Sequence, residues 1–265
     1  KNATLPILAA SILAKEVRLK NIPLVKDIFT MIELLNFIGL KTRINKKSNI
    51  IEIKNNNKNI NTLAPYKLVK TMRAGVLVLG SLLTKYGKAK VSLPGGCAIG
   101  TRPVDLHLFA LKKLGAKIKI KNGYILAEAK KGLKGAIINF PSISVGATEN
   151  ALLAACQAKG KTVLKNCAIE PEIKDLIIFL NKLGSKIKFK GRTIIIYENK
   201  LKSSNISHEV IFDRIELGTY MIACALLVKK DIIIDRIDPK IVKNEINVLK
   251  TLGVKIVKKK SSVII

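Results

Sequence analysis

Residues 111–120 read LKKLGAKIKI: the end of an amphipathic helix, a glycine and an alternating strand. The same order recurs around Gly39, Gly115, Gly184 and Gly253, which stand 76, 69 and 69 residues apart. Glycine at such a place supplies the left-handed residue that a helix C-cap favours. The regular spacing predicts one structural unit repeated four times. The other copies are LLNFIGLKTRI at 34–44, LNKLGSKIKF at 180–189 and LKTLGVKIV at 249–257.

Each predicted unit opens with a helix that is apolar on almost every side, which indicates burial all round. A short strand follows, then a helix with a lysine-rich face, then two more strands. Buried helices need sheet around them, so we expect an inside-out α/β fold with helices inside and sheets outside. The opening helices are predicted at Thr4–Ala14, Thr71–Leu83, Ala147–Ala158 and Ile215–Val228, and the strands after them at Val17–Leu19, Lys90–Leu93, Thr162–Leu164 and Ile232–Ile234.

Domain organisation follows from the repeats. The polar stretch Asn199–His208 is predicted to be a linker, so residues 1–210 would hold three units as a first domain. Residues 211–265 would be the first unit of a second domain. The chain has 265 residues, starts with Lys1 rather than Met and stops inside an apolar run, so we expect it to belong to a longer protein.

The net charge of +30 suggests a nucleic-acid partner at first sight. Only seven of the 48 basic residues are Arg, however, and the lysines are spread along the whole chain. Aromatic residues that could stack on bases make up only 5%. We therefore expect no nucleic-acid partner. The run Leu217–Val228 is too short to span a bilayer, which predicts no membrane partner either.

The four cysteines show neither a CxxC motif nor metal-ligand spacing, so no metal site is predicted and a reducing cytoplasm is the simplest compartment. Cys156 and Cys224 lie in Ala/Leu-rich helical runs and are predicted to be small core residues. Cys167 follows a strand and is predicted to be structural. Cys97 has a different setting.

Cys97 lies in the stretch PGGCAIGTRPVDLH at 94–107. Its three glycines predict an exposed, flexible loop. Arg102, five residues away, would lower the thiol pKa and raise its reactivity. Cys97 is therefore a candidate functional residue, whereas His107 is predicted to be a surface residue at a helix start.

Three further polar places open buried helices, where free amides can bind an anion. Lys1 and Asn2 precede the first helix; they would bind an anion or be a solvated lysine and an Asn N-cap. Arg73 places a positive charge at the positive end of a helix dipole, which is unfavourable unless an anion lies nearby. Residues 142–148 would hold a diphosphate or contain an ordinary Ser N-cap.

Two other motifs are predicted to be helix caps: Glu170-Pro171-Glu172 and Asp213-Arg214-Ile215-Glu216.

At these residues the chain resembles the UDP-N-acetylglucosamine 1-carboxyvinyltransferases, a family of enolpyruvyl transferases. The Cys97 loop is specific to that family, because the sister 5-enolpyruvylshikimate-3-phosphate synthases share the fold but lack it. The resemblance covers the whole chain. Its matching stretches are 1–8, 66–73, 92–100, 102–107, 144–148, 170–173 and 213–219.

The resemblance implies transfer of the enolpyruvyl group of phosphoenolpyruvate to the 3-hydroxyl of UDP-N-acetylglucosamine, the first committed step of peptidoglycan synthesis. It implies a cytoplasmic monomer that needs no cofactor and is a fosfomycin target. Cys97 would be the catalytic acid, and Lys1 and Asn2 would bind phosphoenolpyruvate. The implied UDP-N-acetylglucosamine residues are Arg73, Arg102, Pro103, Val104, Asp105, Leu106, Ser142 (a Lys in some members), Ile143, Ser144 and Val145.

The resemblance also implies that the general base, an Asp, and an Arg that binds phosphate lie beyond residue 265. We therefore expect residues 1–265 alone to be inactive. Two other interpretations stay open from the sequence: a sister enzyme that uses another acceptor, against which the Cys97 loop argues, and a basic protein of the same fold class that binds RNA ends.

Overall fold

The structure is a computed structural model that describes residues 1–57, 59–95, 103–202, 205–227 and 230–265. The chain divides into two compact units, Lys1–Val210 and Ile211–Ile265.

Three copies of the predicted helix–strand–helix–strand–strand order build the first compact unit. The first copy contains α1 (Thr4–Ala10) with a 3₁₀ turn at Ser11–Leu13, β1 (Glu16–Lys20), α2 (Lys26–Ile38), β2 (Lys41–Asn45) and β3 (Ile50–Lys54). The second follows β4 (Leu63–Ala64) and α3 (Tyr66–Val69) and contains a 3₁₀ helix at Arg73–Leu77, α4 (Val78–Tyr86), β5 (Lys88–Ser92), α5 (Asp105–Lys113), β6 (Lys117–Lys121) and β7 (Tyr124–Glu128). The third follows β8 (Ile137–Asn139) and contains α6 (Val145–Ala155), β9 (Thr162–Lys165), α7 (Pro171–Lys182), β10 (Lys186–Lys190) and β11 (Thr193–Tyr197).

The opening helices α1, α4 and α6 form the centre of this unit, as predicted. All of α1 is buried, and α4 packs against both α1 and α6. The second helices end as the sequence indicates: Gly39 directly follows α2 and Gly184 lies two residues past the end of α7, with φ of 115° and 99°. Because a side chain is strained at such angles, these glycines stop each helix and turn the chain into the next strand.

Each copy contributes three strands to a four-stranded sheet, and one further strand joins parallel to the first of them. The sheets have the orders β12-β1-β3-β2, β4-β5-β7-β6 and β8-β9-β11-β10, where β12 is Asn205–Glu209. The other pairs are antiparallel. Alternating residues of each sheet face the helices, which places the core between the central helices and the surrounding sheets.

The prediction of a linker over Asn199–His208 was wrong in its second half, because β12 pairs with β1. This strand corresponds to β8 in the third sheet. Asn21 donates from Nδ2 to the Val210 carbonyl at 2.8 Å, and Asn166 donates in the same way to the Phe140 carbonyl at 2.9 Å. The last copy therefore returns a strand that completes the sheet of the first copy.

The second compact unit, described by itself, contains α8 (Arg214–Leu227), β13 (Ile233–Asp235), α9 (Lys243–Thr251), β14 (Val257–Lys258) and β15 (Ser262–Ile264). Its sheet has the order β13-β15-β14. Asp213 caps α8 as predicted, since its Oδ1 accepts from the Ile215 amide at 2.9 Å. The prediction of an opening helix buried all round at Ile215–Val228 was wrong: only one side of α8 is buried, and Leu226 and Leu227 are 77% and 80% accessible.

Three cysteines lie among the described residues. Cys156 and Cys167 are buried, as predicted. Cys224 was predicted to be a core residue and is only half-buried, because α8 is enclosed on one side alone. None of the described helices is long and apolar enough to cross a membrane.

The contact between α4 and α6 depends on Gly80, and we predict that Gly80→Ala destabilises the first compact unit. A Cβ atom there would lie 2.7 Å from the Asn150 carbonyl oxygen, so the helices must separate. The expected loss is about 2–3 kcal/mol in free energy of unfolding, measured by urea denaturation. Gly218→Ala is the control, because its Cβ would meet only Glu245 Cγ at 3.6 Å; it should be neutral or stabilising by up to about 1 kcal/mol. Equal effects would contradict the close-contact interpretation.

The attachment of β12 depends on a buried pair, in which His208 Nε2 lies 3.0 Å from Asp175 Oδ1 and each side chain is 3% exposed. We predict that His208→Ala lowers the free energy of unfolding by about 3 kcal/mol, because a buried carboxylate loses this partner. Lys182→Ala should cost less, about 0.5–1 kcal/mol, since Lys182 reaches the same histidine only through a half-buried contact of 3.3 Å. A His208 variant as stable as the parent chain would show that the pair does not hold β12.

Candidate active site

Arg73 lies at the first position of the 3₁₀ helix that leads into α4, and its side chain is exposed. This 3₁₀ helix packs against both α1 and α6. Burial causes most of the pKa shifts of His107 and Glu149, and the nearby Arg73 charge contributes a smaller lowering to each, which places Arg73 close to α5 and α6. The exposed Arg73 guanidinium thus lies near the helices that follow two other candidate segments, 103–106 and 142–145.

The turn Ser142–Val145 leads into α6, with Ile143 46% exposed. Ser144 is the N-cap, because its Oγ accepts from the Ala147 amide at 3.3 Å. The simpler prediction for this residue is therefore confirmed. Thr148 reinforces the start of the helix by donating from its hydroxyl to the Ser144 carbonyl at 2.8 Å. The exposed residues before the cap leave amides that an anion could reach.

The segment Pro103–Leu106 precedes and begins α5. Pro103 and Asp105 are exposed, whereas Val104 is buried and anchors the segment. His107 follows directly and is only 3% exposed. The prediction of a surface histidine was wrong, because α5 packs on α6 and this turn of α5 faces it.

Lys1 and Asn2 lie immediately before α1, which packs against the 3₁₀ helix of Arg73. The Lys1 ammonium forms a salt bridge with Asp27 Oδ2 at 3.0 Å. Asp27 is in the first turn of α2. The predicted Asn N-cap is not found: Ala3 holds the cap position of α1.

Cys97 and Arg102 lie outside the described residues. The chain that leads to them is placed by Gly95, where an added Cβ would lie 2.6 Å from the Lys70 carbonyl oxygen. Lys70 is three residues before Arg73 in the chain, so the glycine-rich stretch starts beside the segment that carries Arg73. Only glycine permits this approach.

Buried titratable groups lie beneath these segments. Burial raises the pKa of the Glu149 carboxyl well above its ordinary value, and the nearby Glu172 and Glu170 carboxylates raise it further, whereas Arg73 lowers it. Burial, with a smaller contribution from Arg73, lowers the pKa of His107 to about 4. Burial therefore favours the neutral forms of His107 and Glu149, whereas Arg73 is an exposed cation close to both.

Sequence reasoning missed three of these supporting residues. Glu149 and Asn150 are polar residues inside a helix predicted to be apolar all round, and that departure was the available signal. Asp27 had none, because an acidic residue in the first turn of a helix is ordinary. Glu170-Pro171-Glu172 starts α7 as predicted, with Pro171 in the first turn.

The arrangement suits binding of an anionic ligand. The structure brings together Arg73, the 103–106 segment and the 142–145 turn, and it places Lys1 and Asn2 on a helix that packs on the Arg73 segment. Within the described ranges, no group of three His, Cys, Asp or Glu side chains could hold a metal ion.

Comparison with known proteins identifies relatives along the whole chain. It is 57% identical to a UDP-N-acetylglucosamine 1-carboxyvinyltransferase of Pelagibacter ubique (strain HTCC1062), covering 100% of this chain and 63% of that protein. It is 48% identical to the protein of the same name from Endomicrobium trichonymphae, covering 99% and 62%. The chain thus spans less than two thirds of the length of these curated relatives.

The fold is shared with the enolpyruvyl transferase NikO from Streptomyces tendae, with a TM-score of 0.85 at 21% identity over 99% of this chain and 62% of that one. The family model described as EPSP synthase (3-phosphoshikimate 1-carboxyvinyltransferase) matches residues 1–265. With its repeated units, its enclosed helices and this match from end to end, the chain belongs to the EPSP synthase family of enolpyruvyl transferases.

Proposed function

We propose that the protein transfers the enolpyruvyl group of phosphoenolpyruvate to the 3-hydroxyl of UDP-N-acetylglucosamine and releases phosphate. The observation that carries this proposal is the 57% identity, over the whole chain, to a relative with that name. The reaction would be the first committed step of peptidoglycan synthesis, and we expect a cytoplasmic monomer without cofactor.

The proposed domain organisation follows the repeats. Residues 1–210 would be the first domain, and 211–265 would be the first unit of a second. The division of the chain into two compact units at the same place supports this proposal.

In the proposed reaction, the sugar 3-hydroxyl oxygen bonds to C2 of phosphoenolpyruvate. The Cys97 thiol gives a proton to C3, and the hydroxyl proton goes to a base. The resulting tetrahedral phospho-ketal loses phosphate as a proton leaves C3 and the double bond forms again. Charge builds up on the departing phosphate, so fixed cations near it lower the barrier.

The binding roles are proposed from position. Lys1 and Asn2 would contact phosphoenolpyruvate, with Asp27 holding the Lys1 ammonium in place. The 142–145 turn would bind the diphosphate at the start of α6, where the helix dipole favours negative charge. Arg73 and the segment Arg102–Leu106 would hold the rest of the nucleotide sugar. Exposure of Arg73 beside two buried groups whose neutral forms are favoured by burial supports its role as an anion contact.

The test is phosphate release from phosphoenolpyruvate and UDP-N-acetylglucosamine. Residues 1–265 replace the matching segment of the Pelagibacter ubique relative, to give a completed chain. We predict that the completed chain releases phosphate only when both substrates are present. Residues 1–265 alone should be slower by at least about 10²–10⁴-fold, the usual contribution of a general base. Equal rates would show that the base lies within residues 1–265. A completed chain that prefers 3-phosphoshikimate would contradict the proposed acceptor.

The proposed acid can be tested separately by alkylation. We predict that fosfomycin labels Cys97 of the completed chain, and does so faster with UDP-N-acetylglucosamine bound, because the nucleotide sugar draws Arg102 and Lys1 around the reagent. Cys156 and Cys167 should stay unlabelled, since burial raises the pKa of each thiol to about 12 and leaves almost no thiolate.

Peptide mass spectrometry gives the position of the label, with Cys97→Ser as the control that should lose it. Cys97→Ser should also lose most activity, because a hydroxyl is a much weaker acid than a thiol. Cys97→Asp should keep part of it, since a carboxylic acid can donate a proton. Label on Cys224 instead would remove Cys97 from the proposed mechanism.

A further inference from the structure

A buried asparagine links three helices beneath the candidate site. Asn150 of α6 accepts at Oδ1 from the Gly80 amide of α4 at 2.8 Å. Its Nδ2 donates to the Val76 carbonyl at 3.2 Å and lies 3.1 Å from His107 Nδ1 on α5. The side chain is completely buried. These contacts fix the amide orientation, because Oδ1 must face a donor and Nδ2 an acceptor.

The same contacts fix the state of the imidazole. Since Asn150 Nδ2 is a donor, His107 Nδ1 must accept, and the ring proton is on Nε2. The ring is therefore neutral, in agreement with a pKa that burial lowers to about 4. A protonated ring would direct two donors at each other across the 3.1 Å contact.

The other side of the ring lies against the start of α6. A Cβ added at Gly146 would be 3.1 Å from His107 Cε1 and 3.3 Å from Nε2. Both distances are shorter than ordinary carbon contacts, so a glycine here lets the imidazole approach the backbone that follows the 142–145 turn. His107 itself directly follows the 103–106 segment. The buried His107 side chain thus contacts the backbone next to the 142–145 turn, while its own backbone continues the 103–106 segment.

We propose that His107 and Asn150 are positioning residues, which hold the 103–106 segment and the 142–145 turn at a fixed separation for the nucleotide part of the substrate. This rests on the proposed function, in which those two segments bind UDP-N-acetylglucosamine. Loops already held in place lose less conformational freedom when ligand binds, which raises affinity. Neither residue touches the reacting atoms in this proposal, so nucleotide affinity should depend on the pair more than turnover does.

The test compares two substitutions of His107 in the completed chain. His107→Leu removes the acceptor that Asn150 uses, whereas His107→Asn keeps an acceptor at the δ position. We expect His107→Leu to raise KM for UDP-N-acetylglucosamine, and Kd for UDP by calorimetry, about tenfold. KM for phosphoenolpyruvate and kcat should stay within about threefold, and His107→Asn should recover most of the affinity.

The matched control is His208→Leu, since both histidines are 3% exposed in the same compact unit. It should lower the melting temperature without changing Kd for UDP. Equal losses of UDP affinity in the two leucine variants would overturn the proposal, as would a His107→Leu variant with unchanged Kd or a His107→Asn variant that recovers nothing.

The parent completed chain separates this inference from the proposed function. If the parent does not bind UDP-N-acetylglucosamine, both are wrong. If it binds and turns over while the histidine variants behave alike, only the positioning role is wrong.

Discussion

The close packing of α4 against α6 is the contact on which the rest of the first compact unit depends. Helices that are apolar on every side are stable in water only when other elements enclose them. Gly80 lets the two backbones approach closely, and Asn150 then bonds directly to the Gly80 amide of α4 and the Val76 carbonyl of the 3₁₀ helix. The start of α6, the 3₁₀ helix of Arg73 and the start of α5 are brought together by the same packing.

This centre also determines the electrostatics of the candidate site. A cation at the start of a helix is unfavourable by itself, yet Arg73 stands there near His107 and Glu149, whose neutral forms are favoured by burial. If His107 carried a charge, the repulsion at Arg73 would increase and the link to Asn150 would be lost. The protein thus keeps positive charge at the surface and hydrogen bonds in the interior. Such a division suits binding of an anionic ligand.

Much of the fold could be predicted from the sequence because its signals are local. Helix ends marked by Gly39 and Gly184, followed by alternating strands, gave the repeat and the buried helices. The strand β12 was missed because its buried positions are Ile206 and His208, and a histidine does not register as apolar in a periodicity argument. Its partner β1 is also distant in the chain. His107 was misplaced for a related reason: its burial comes from Asn150 and Gly146, which no local pattern connects with it.

Completion of the first sheet by β12 has a consequence for synthesis. The two strands that pair are 189 residues apart in the chain. At about 5–20 residues per second, a ribosome needs roughly 10–40 seconds to cover that distance. During this time the edge of β1 has no parallel neighbour, although its antiparallel pairing with β3 can already form. The nascent chain must therefore protect an open strand edge from other polypeptides until β12 emerges.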